Sequence, residues 1–474
     1  MLHWDRATQM PDGGAAARSE QMAALKLVCH DIITEPALPD LLDGAEAQND
    51  LDPWQRANVK EMRRSWLHAG ATPANLVEAF SKACSSCEMA WRAARPANDF
   101  AAILPTLERV LELTREVAAL KASRLGKTPY DALLDQWEPD GSEAAIDAVF
   151  EPLVRSLPAL IDAAIAAQAR RPAPVAPVGP FPIPTQREAA VALMKRLGFD
   201  FDHGRLDISA HPFCGGTPDD VRITTRYDEG DFRRALMGVL HETGHAMYER
   251  GLPEAWRRQP VGRSRGMSIH ESQSLLVEMQ VCRSPAFHEF AAPILRETFG
   301  RSGPEWEPEN LYRLNTRVER SLIRVDADEV TYSAHVILRY RLERALLAGD
   351  LKLKDLPAAW NDAMRELVGI APPDDRQGCL QDIHWYDGAF GYFPTYTLGA
   401  MTAAQLFDAA KRADHAIEPG IARGEFAPLF AWLRANVHGK ASRFSTPEII
   451  AQASGKPLDA AIFERHLRAR YLDA

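Results

Sequence analysis

Cysteine is scarce in this sequence. Six residues in 474 (Cys29, Cys84, Cys87, Cys214, Cys282, Cys379) are too few for a disulfide framework of the kind that holds small secreted domains together. A reducing cytoplasm is the simplest compartment. Cys84-Ser-Ser-Cys87 is a lone CxxC inside a helical pattern and reads as buried helical cysteines. No apolar run approaches the ~18–20 residues that cross a bilayer, and the longest candidate, Leu157 to Ala169, is broken by Asp162 and Gln168. Met1-Leu2-His3-Trp4-Asp5-Arg6 has no apolar core of a signal peptide. A surplus of basic charge is also missing: 55 Lys and Arg stand against 65 Asp and Glu, a net charge of −10, with both signs interspersed. Nucleic-acid binding needs that surplus to displace counterions, so neither a nucleic acid nor a membrane is an expected partner. No internal repeat is visible.

What is present is an ordinary globular composition, 46% apolar and 25% charged, which excludes global disorder. At roughly 100–200 residues per domain the chain makes one large domain or two to three smaller ones. The first stretch, residues 1–171, reads as helix after helix. In Thr106–Leu125, Val110, Leu113, Val117 and Leu120 recur at three- and four-residue steps and Gly126 is the stop. Ser142 opens another helix. Residues 172–184, rich in proline, form an extended connector, and Thr185-Gln-Arg-Glu188 restarts a helix with a capping box. Residues 185–474 carry the chemistry, and the two halves are expected to form one continuous structural domain. Arg205–Ser209 and Val221–Tyr227 alternate like strands, with the turn-rich His211–Thr217 between them. They predict a short antiparallel pair or small sheet. Helices then run to the end, the last restart at Thr446-Pro447 stopping at Gly455. The fold class is mostly α with one small antiparallel sheet.

The sharpest signal is His241-Glu242-Thr243-Gly244-His245, inside a predicted helix from Phe232 to Arg250 with Asp231 as cap. Histidines four apart share one helical face and can hold one Zn²⁺, and Glu242 can reach a water there as general base. With 14 histidines in the chain and Glu at ~7%, such a motif arises by chance only about 0.03 times. Catalytic zinc needs a third protein ligand and an open position. The segment Ser268-Ile-His270-Glu271 begins a second helix and offers Glu271 first, with Glu278 and His270 as alternatives. No HExxHxxGxxH continuation is present. Three further clusters stand out: Asp220-Val-Arg222-Ile-Thr224, on the strand before the metal helix; Ile323-Arg324-Val-Asp326-Ala-Asp328, on a later helix; and Gly378-Cys-Leu-Gln381-Asp382-Ile-His384-Trp385, running into Tyr392 and Tyr396. Read singly, Arg324 is an exposed ion pair, His384 a core histidine and Tyr396 a packed aromatic.

Together, and in order, His211-Pro-Phe213, Asp220-x-Arg222-x-Thr224, HExxH, His270-Glu-Ser-Gln273, Ile323-Arg-x-x-Ala-Asp328 and Gly378-x-x-Gln-Asp-x-His-Trp385 resemble the carboxypeptidase Taq family of zinc metallocarboxypeptidases. The resemblance runs from Leu2-His-Trp-Asp5 to the last helix. It implies a large helical metallopeptidase with a long deep groove, Zn²⁺ (Co²⁺ as a substitute) on His241, His245 and Glu271, broad release of C-terminal residues with C-terminal proline disfavoured, and a homodimer. Members usually carry a helix ahead of the Leu-x-Trp-Asp segment. Here Met1 stands at that segment, so either the start lies late or this member lacks the helix.

The expected reaction is metal-assisted peptide hydrolysis with Glu242 as base. Tyr396 is the favoured oxyanion donor, with Tyr392 and His384 behind it. The strand Val221–Thr225 is expected to pair with extended substrate. Arg324 is the first candidate for the substrate carboxylate, Arg222 the second, with His211 nearby. Asp326 and Asp328 are expected to orient surrounding groups, a zinc-ligand histidine included. An endo- or dipeptidase on the same scaffold, or a non-catalytic peptide-binding relative, are the alternatives.

Overall fold

The architecture was analysed in a computed structural model that describes residues 1–473. Among these residues the chain forms twenty α-helices and one three-stranded sheet, so the helical class holds. The helix stops behave as their residues dictate. Gly126 ends the helix Phe100–Leu125 in a left-handed conformation, where the missing Cβ removes the steric cost. Ser142 caps Glu143–Ala169. Ser445 rather than Thr446 is the cap of Thr446–Ser454, in a reciprocal capping box with Glu448. Helix resumes after the proline-rich connector at Ile183, two residues before the expected Thr185. Pro184 is compatible with that start because a first-turn N–H has no helical partner to lose.

The sheet corrects the expected pairing. Its strands are β1 (Gly204–Ile208), β2 (Phe213–Thr217) and β3 (Asp220–Thr225), in the order β1-β3-β2. β1 runs parallel to β3, with Leu206 opposite Ile223, and β2 runs antiparallel to β3. Alternation marks a strand but carries no direction. The Gly-rich segment expected to be a turn is itself the strand β2. It folds back on β3 through a two-residue turn at Pro218-Asp219, and Gly216, just before that turn and paired with Val221, takes a φ of +109° that suits glycine. β3 is therefore the central strand, with both edges occupied.

One buried apolar cluster extends from Leu76 to Tyr471. The helix Glu143–Ala169, ahead of the connector, packs on Glu329–Ala348 and Ala460–Tyr471 behind it. At the centre, the helix Phe232–Gly251 lies on β3 and against Gly266–Leu275, which in turn packs on Pro394–Ala413. Two glycines permit these close crossings. A Cβ at Gly244 would stand 2.5 Å from the Gln273 carbonyl oxygen, and one at Gly399 would stand 2.8 Å from the Glu271 Cβ. The segment carrying Glu271 is thus clamped between two helices at backbone distance.

Candidate metal centre

Asp231 caps the helix Phe232–Gly251 through the Arg233 N–H. Phe232, Leu236, Val239 and Leu240 bury its inner face. That anchorage fixes where His241 and His245 project. The facing helix Gly266–Leu275 is held at its start from far along the chain: the Met267 N–H donates to the Trp137 carbonyl and the Ser268 N–H to Glu138 Oε2. Buried Glu138 thus satisfies an N-terminal donor that the helix cannot satisfy itself.

His241, His245 and Glu271 converge, and they form the only group of three or more potential metal ligands among the described residues whose ligand atoms all lie within 4.8 Å of one another. His241 Nε2 is 3.9 Å from Glu271 Oε1, and His245 Nε2 is 3.4 Å from Glu271 Oε2. A tetrahedral ion with ligands at ~2.0–2.2 Å has ligand-to-ligand edges of roughly 3.3–3.6 Å; the His245 edge lies in that range and the His241 edge is a few tenths of an ångström longer, so a small closing shift of His241 would bring the set onto one small divalent cation. The other ring nitrogens are already engaged. His241 Nδ1 is 2.9 Å from Glu278 Oε2, and Arg283 holds the other Glu278 oxygen at 2.7 Å. His245 Nδ1 meets His270 Nδ1 at 2.6 Å, and His270 Nε2 meets Glu249 Oε1 at 2.9 Å. With each Nε2 lone pair turned to the metal position, the protons follow: His241 donates to Glu278, His245 to His270, and His270 to Glu249. Such partners fix the tautomer and the ring orientation of a metal-binding histidine.

These contacts settle what His270 and Glu278 do. Each stands behind a histidine rather than in the ligand set. Glu278 lies in a π-helical stretch, Leu276–Cys282, that continues the Glu271 helix; the widened turn brings it to His241. Asp326 and Asp328 do not orient a ligand histidine as expected. Asp328 caps the helix Glu329–Ala348, and Asp326 lies 3.6 Å from Arg234.

The electrostatics suit a cation. Burial opposes charge on His241, yet the carboxylates of Glu271, Glu278 and Glu242 outweigh it and hold the ring's pKa up. Burial would raise Glu271, but His241, His245 and His270 keep it ionised, well below the usual range. Glu242 is not in the ligand set. Burial pushes its carboxyl up to about 7, with His241 opposing and Glu271 adding to the rise, which is where a general base at neutral pH belongs.

Beside this cluster, the helix Pro394–Ala413 brings Tyr396 next to His384, whose Nε2 is 3.2 Å from the phenol oxygen. Burial, with Glu271 adding and Arg324 opposing, pushes the Tyr396 phenol up to about 12, so it remains a donor. Burial lowers His384 to about 4, leaving its ring neutral. Tyr392 lies 5.2 Å and Tyr332 6.3 Å from the Tyr396 ring, centroid to centroid. Arg324 sits 4.7 Å over that ring. It is neither exposed nor on a helix. It opens a short 3₁₀ turn, Arg324–Asp326, and is 5% exposed. Its own acidic neighbours do not hold it: Asp382 does, through Nε and Nη2 at 3.1 and 2.9 Å. Asp382 also binds Arg339 at 2.6 Å, and Gln381 Oε1 receives the Arg324 N–H and Arg339 Nη2.

Two expected residues are engaged elsewhere. Arg222 pairs with Asp220 at 2.8 Å and lies over Trp4 at 4.5 Å, with Arg205 over the same ring. His211 is exposed in the loop between β1 and β2, and its carbonyl accepts from Ser209. Neither contacts the metal cluster. Sequence reasoning missed Arg283, Glu249, Arg339 and Tyr332. Arg339 and Tyr332 act across the fold, where spacing gives no sign of them; Glu249, one turn after His245 on the metal helix, and Arg283, five residues after Glu278, lie at short spacings that could have pointed to them.

A family model described as carboxypeptidase Taq (M32) metallopeptidase matches residues 1–471. The chain is 40% identical to "Thermostable carboxypeptidase 1" of Thermus thermophilus, over 99% of this chain and 94% of that protein. It is 33% identical to "Carboxypeptidase 1" of Bacillus subtilis over 99% and 94%. Among solved structures, Trypanosoma cruzi metallocarboxypeptidase 1 superposes with a TM-score of 0.97 at 42% identity, covering 99% of this chain and 95% of that one. The M32 carboxypeptidase of Deinococcus radiodurans R1 gives 0.93 at 38%, covering 100% and 95%.

Proposed function

The chain belongs to the carboxypeptidase Taq (M32) family of metallopeptidases, and from that premise we propose a zinc-dependent carboxypeptidase that removes residues from the C-terminal ends of peptides. His241, His245 and Glu271 hold the metal in this reading, with Co²⁺ able to replace Zn²⁺. The observation that carries it is the convergence of both Nε2 atoms on one carboxylate while both Nδ1 atoms are hydrogen-bonded behind. When bound, the ion supplies Lewis acidity at the scissile carbonyl and lowers the pKa of water. Glu242 takes a proton from the attacking water and delivers it to the leaving amine; burial raises its carboxyl and so helps it hold that proton between the two steps. Tyr396 donates its O–H to the oxyanion of the tetrahedral intermediate, and neutral His384 positions it.

A free chain end is selected by Arg324. Two of its nitrogens are spent on Asp382, and its Nη1 makes no hydrogen bond among the described residues. A guanidinium oriented in this way offers a prepared edge to a carboxylate. Because β3 has no free edge, the extended substrate backbone adds to β2 instead; Cys214 on that strand lies near enough to feel the Glu242 charge. Broad residue specificity, poor action on C-terminal proline, a deep groove and a homodimer accompany this reading through the family resemblance. No helix among the described residues is long and apolar enough to cross a membrane, and six free cysteines fit a cytoplasmic setting.

Metal analysis tests the ligand set. The wild-type protein should carry one Zn²⁺ per chain and His245→Ala should lose it. A variant that retains full metal would reject the assignment.

A further inference from the structure

On a face that takes no part in the metal centre, a cavity of about 340 Å³ is lined by Arg171, Arg313, Arg317 and Arg470. It lies where the end of the helix Glu143–Ala169, the proline-rich connector, the helix Pro308–Asn315 and the last helix, Ala460–Tyr471, meet. No carboxylate lines it, in a chain whose net charge is −10. Arg171 and Arg313 have no acidic partner among the described residues; Arg313 donates to the Pro172 carbonyl. Arg317 has an exposed partner in Glu319 at 2.6 Å. Arg470 forms the floor. Its side chain is 9% exposed, and its guanidinium is fixed by Glu329 at 2.9 Å and by the carbonyls of Met279 and Gln280.

Tyr312 brings these charges together. Burial raises its pKa, Arg470 and Arg171 oppose the rise and the Glu329 carboxylate behind Arg470 adds to it, so two arginines from separate segments bear on one hydroxyl. The two guanidiniums without an acidic partner, Arg171 and Arg313, share this concave site with like charge, and the repulsion is relieved when an anion enters. Their planar forks match phosphate oxygens in particular. Ile165, Pro174, Val318, Ala164, Ala169 and Ala173 give the same cavity an apolar lining. The volume lies at the lower end of the ~300–1,000 Å³ range of small-molecule sites, which suits a compact ligand rather than a polymer.

We propose that this cavity binds a small organic phosphate, with the phosphate on Arg171, Arg313 and Arg470 and the organic part against Ile165, Pro174 and Val318. The site is separate from the peptide-hydrolysing centre and does not depend on that assignment.

Calorimetric titration of the metal-loaded protein with phenyl phosphate and with inorganic phosphate, at constant ionic strength, tests it. Phenyl phosphate should bind saturably, one per chain, and tighter than inorganic phosphate. Arg171→Ala and Arg313→Ala should each weaken it about tenfold. Neither side chain is in the core, and Arg301→Ala, on the exposed surface outside the cavity, should leave the affinity unchanged. Undiminished binding in both cavity variants would place the anion elsewhere, the metal included, and overturn the proposal. So would an equal loss in Arg301→Ala, an equal affinity for the two phosphates, or no saturable binding at millimolar concentration.

Discussion

Replacing Arg324 by alanine separates substrate recognition from structure more cleanly than its burial suggests. The side chain is 5% exposed and bonded twice to buried Asp382. Removing one partner of a buried ion pair costs about 3–5 kcal/mol when the remaining charge is left uncompensated. Asp382 is not left alone here, because Arg339 still holds it at 2.6 Å. The expected destabilisation is therefore at or below about 3 kcal/mol, read as a lowered melting temperature in a protein that still folds. The catalytic loss is larger. A charge-assisted contact to the terminal carboxylate in a desolvated site is worth about 2–5 kcal/mol, or roughly 30- to several-thousand-fold in kcat/KM. Arg324 also lies over the Tyr396 ring, so its removal can disturb the oxyanion donor, but that disturbance falls equally on every substrate. The assay is kcat/KM for a matched pair of peptides, one with a free C-terminal carboxylate and one amidated, in wild-type and Arg324→Ala protein. The acid should lose far more than the amide. An equal proportional loss on both would show that Arg324 only positions its neighbours.

Glu242→Gln should keep its metal and lose about 10²–10⁴-fold in turnover, since the amide matches the shape but cannot accept the proton; metal analysis beside steady-state kinetics checks both halves, and near-normal turnover would remove Glu242 from the mechanism. Glu278→Ala should weaken metal binding about 10–100-fold, because His241 loses the group that fixes its ring; a chelator competition titration reads this, and an unchanged dissociation constant would show that His241 needs no such support.

The parts of this site that lie within one element were legible in the sequence. His241, Glu242 and His245 share a helical face, and Asp231 and the apolar stripe of that helix mark where it starts and what it packs on. Glu271 could be placed beside His270 and Glu278, but not chosen over them by spacing: all three lie on one continuing helical segment, and the choice depends on which side chain faces His245 across a gap that Gly244 and Gly399 make narrow. The partner of Arg324 was not legible, because Asp382 is 58 residues away and competes with two nearer carboxylates, one of them spent on capping a helix. Strand direction was not legible either. The alternation in Arg205–Ser209 and Val221–Tyr227 is the same for parallel and antiparallel pairing, and the strand between them is rich in glycine.

The account's central claim, a metal-dependent release of residues from free carboxyl ends, is tested most directly by mass spectrometry of one peptide digested in four ways: with the native protein, after chelation, after Zn²⁺ is restored, and with the peptide's C-terminus amidated. The account predicts a ladder shortened from the C-terminus one residue at a time, abolished by the chelator, recovered with Zn²⁺, and largely absent for the amide. Internal fragments from the amidated peptide, or a ladder that the chelator leaves untouched, would contradict it.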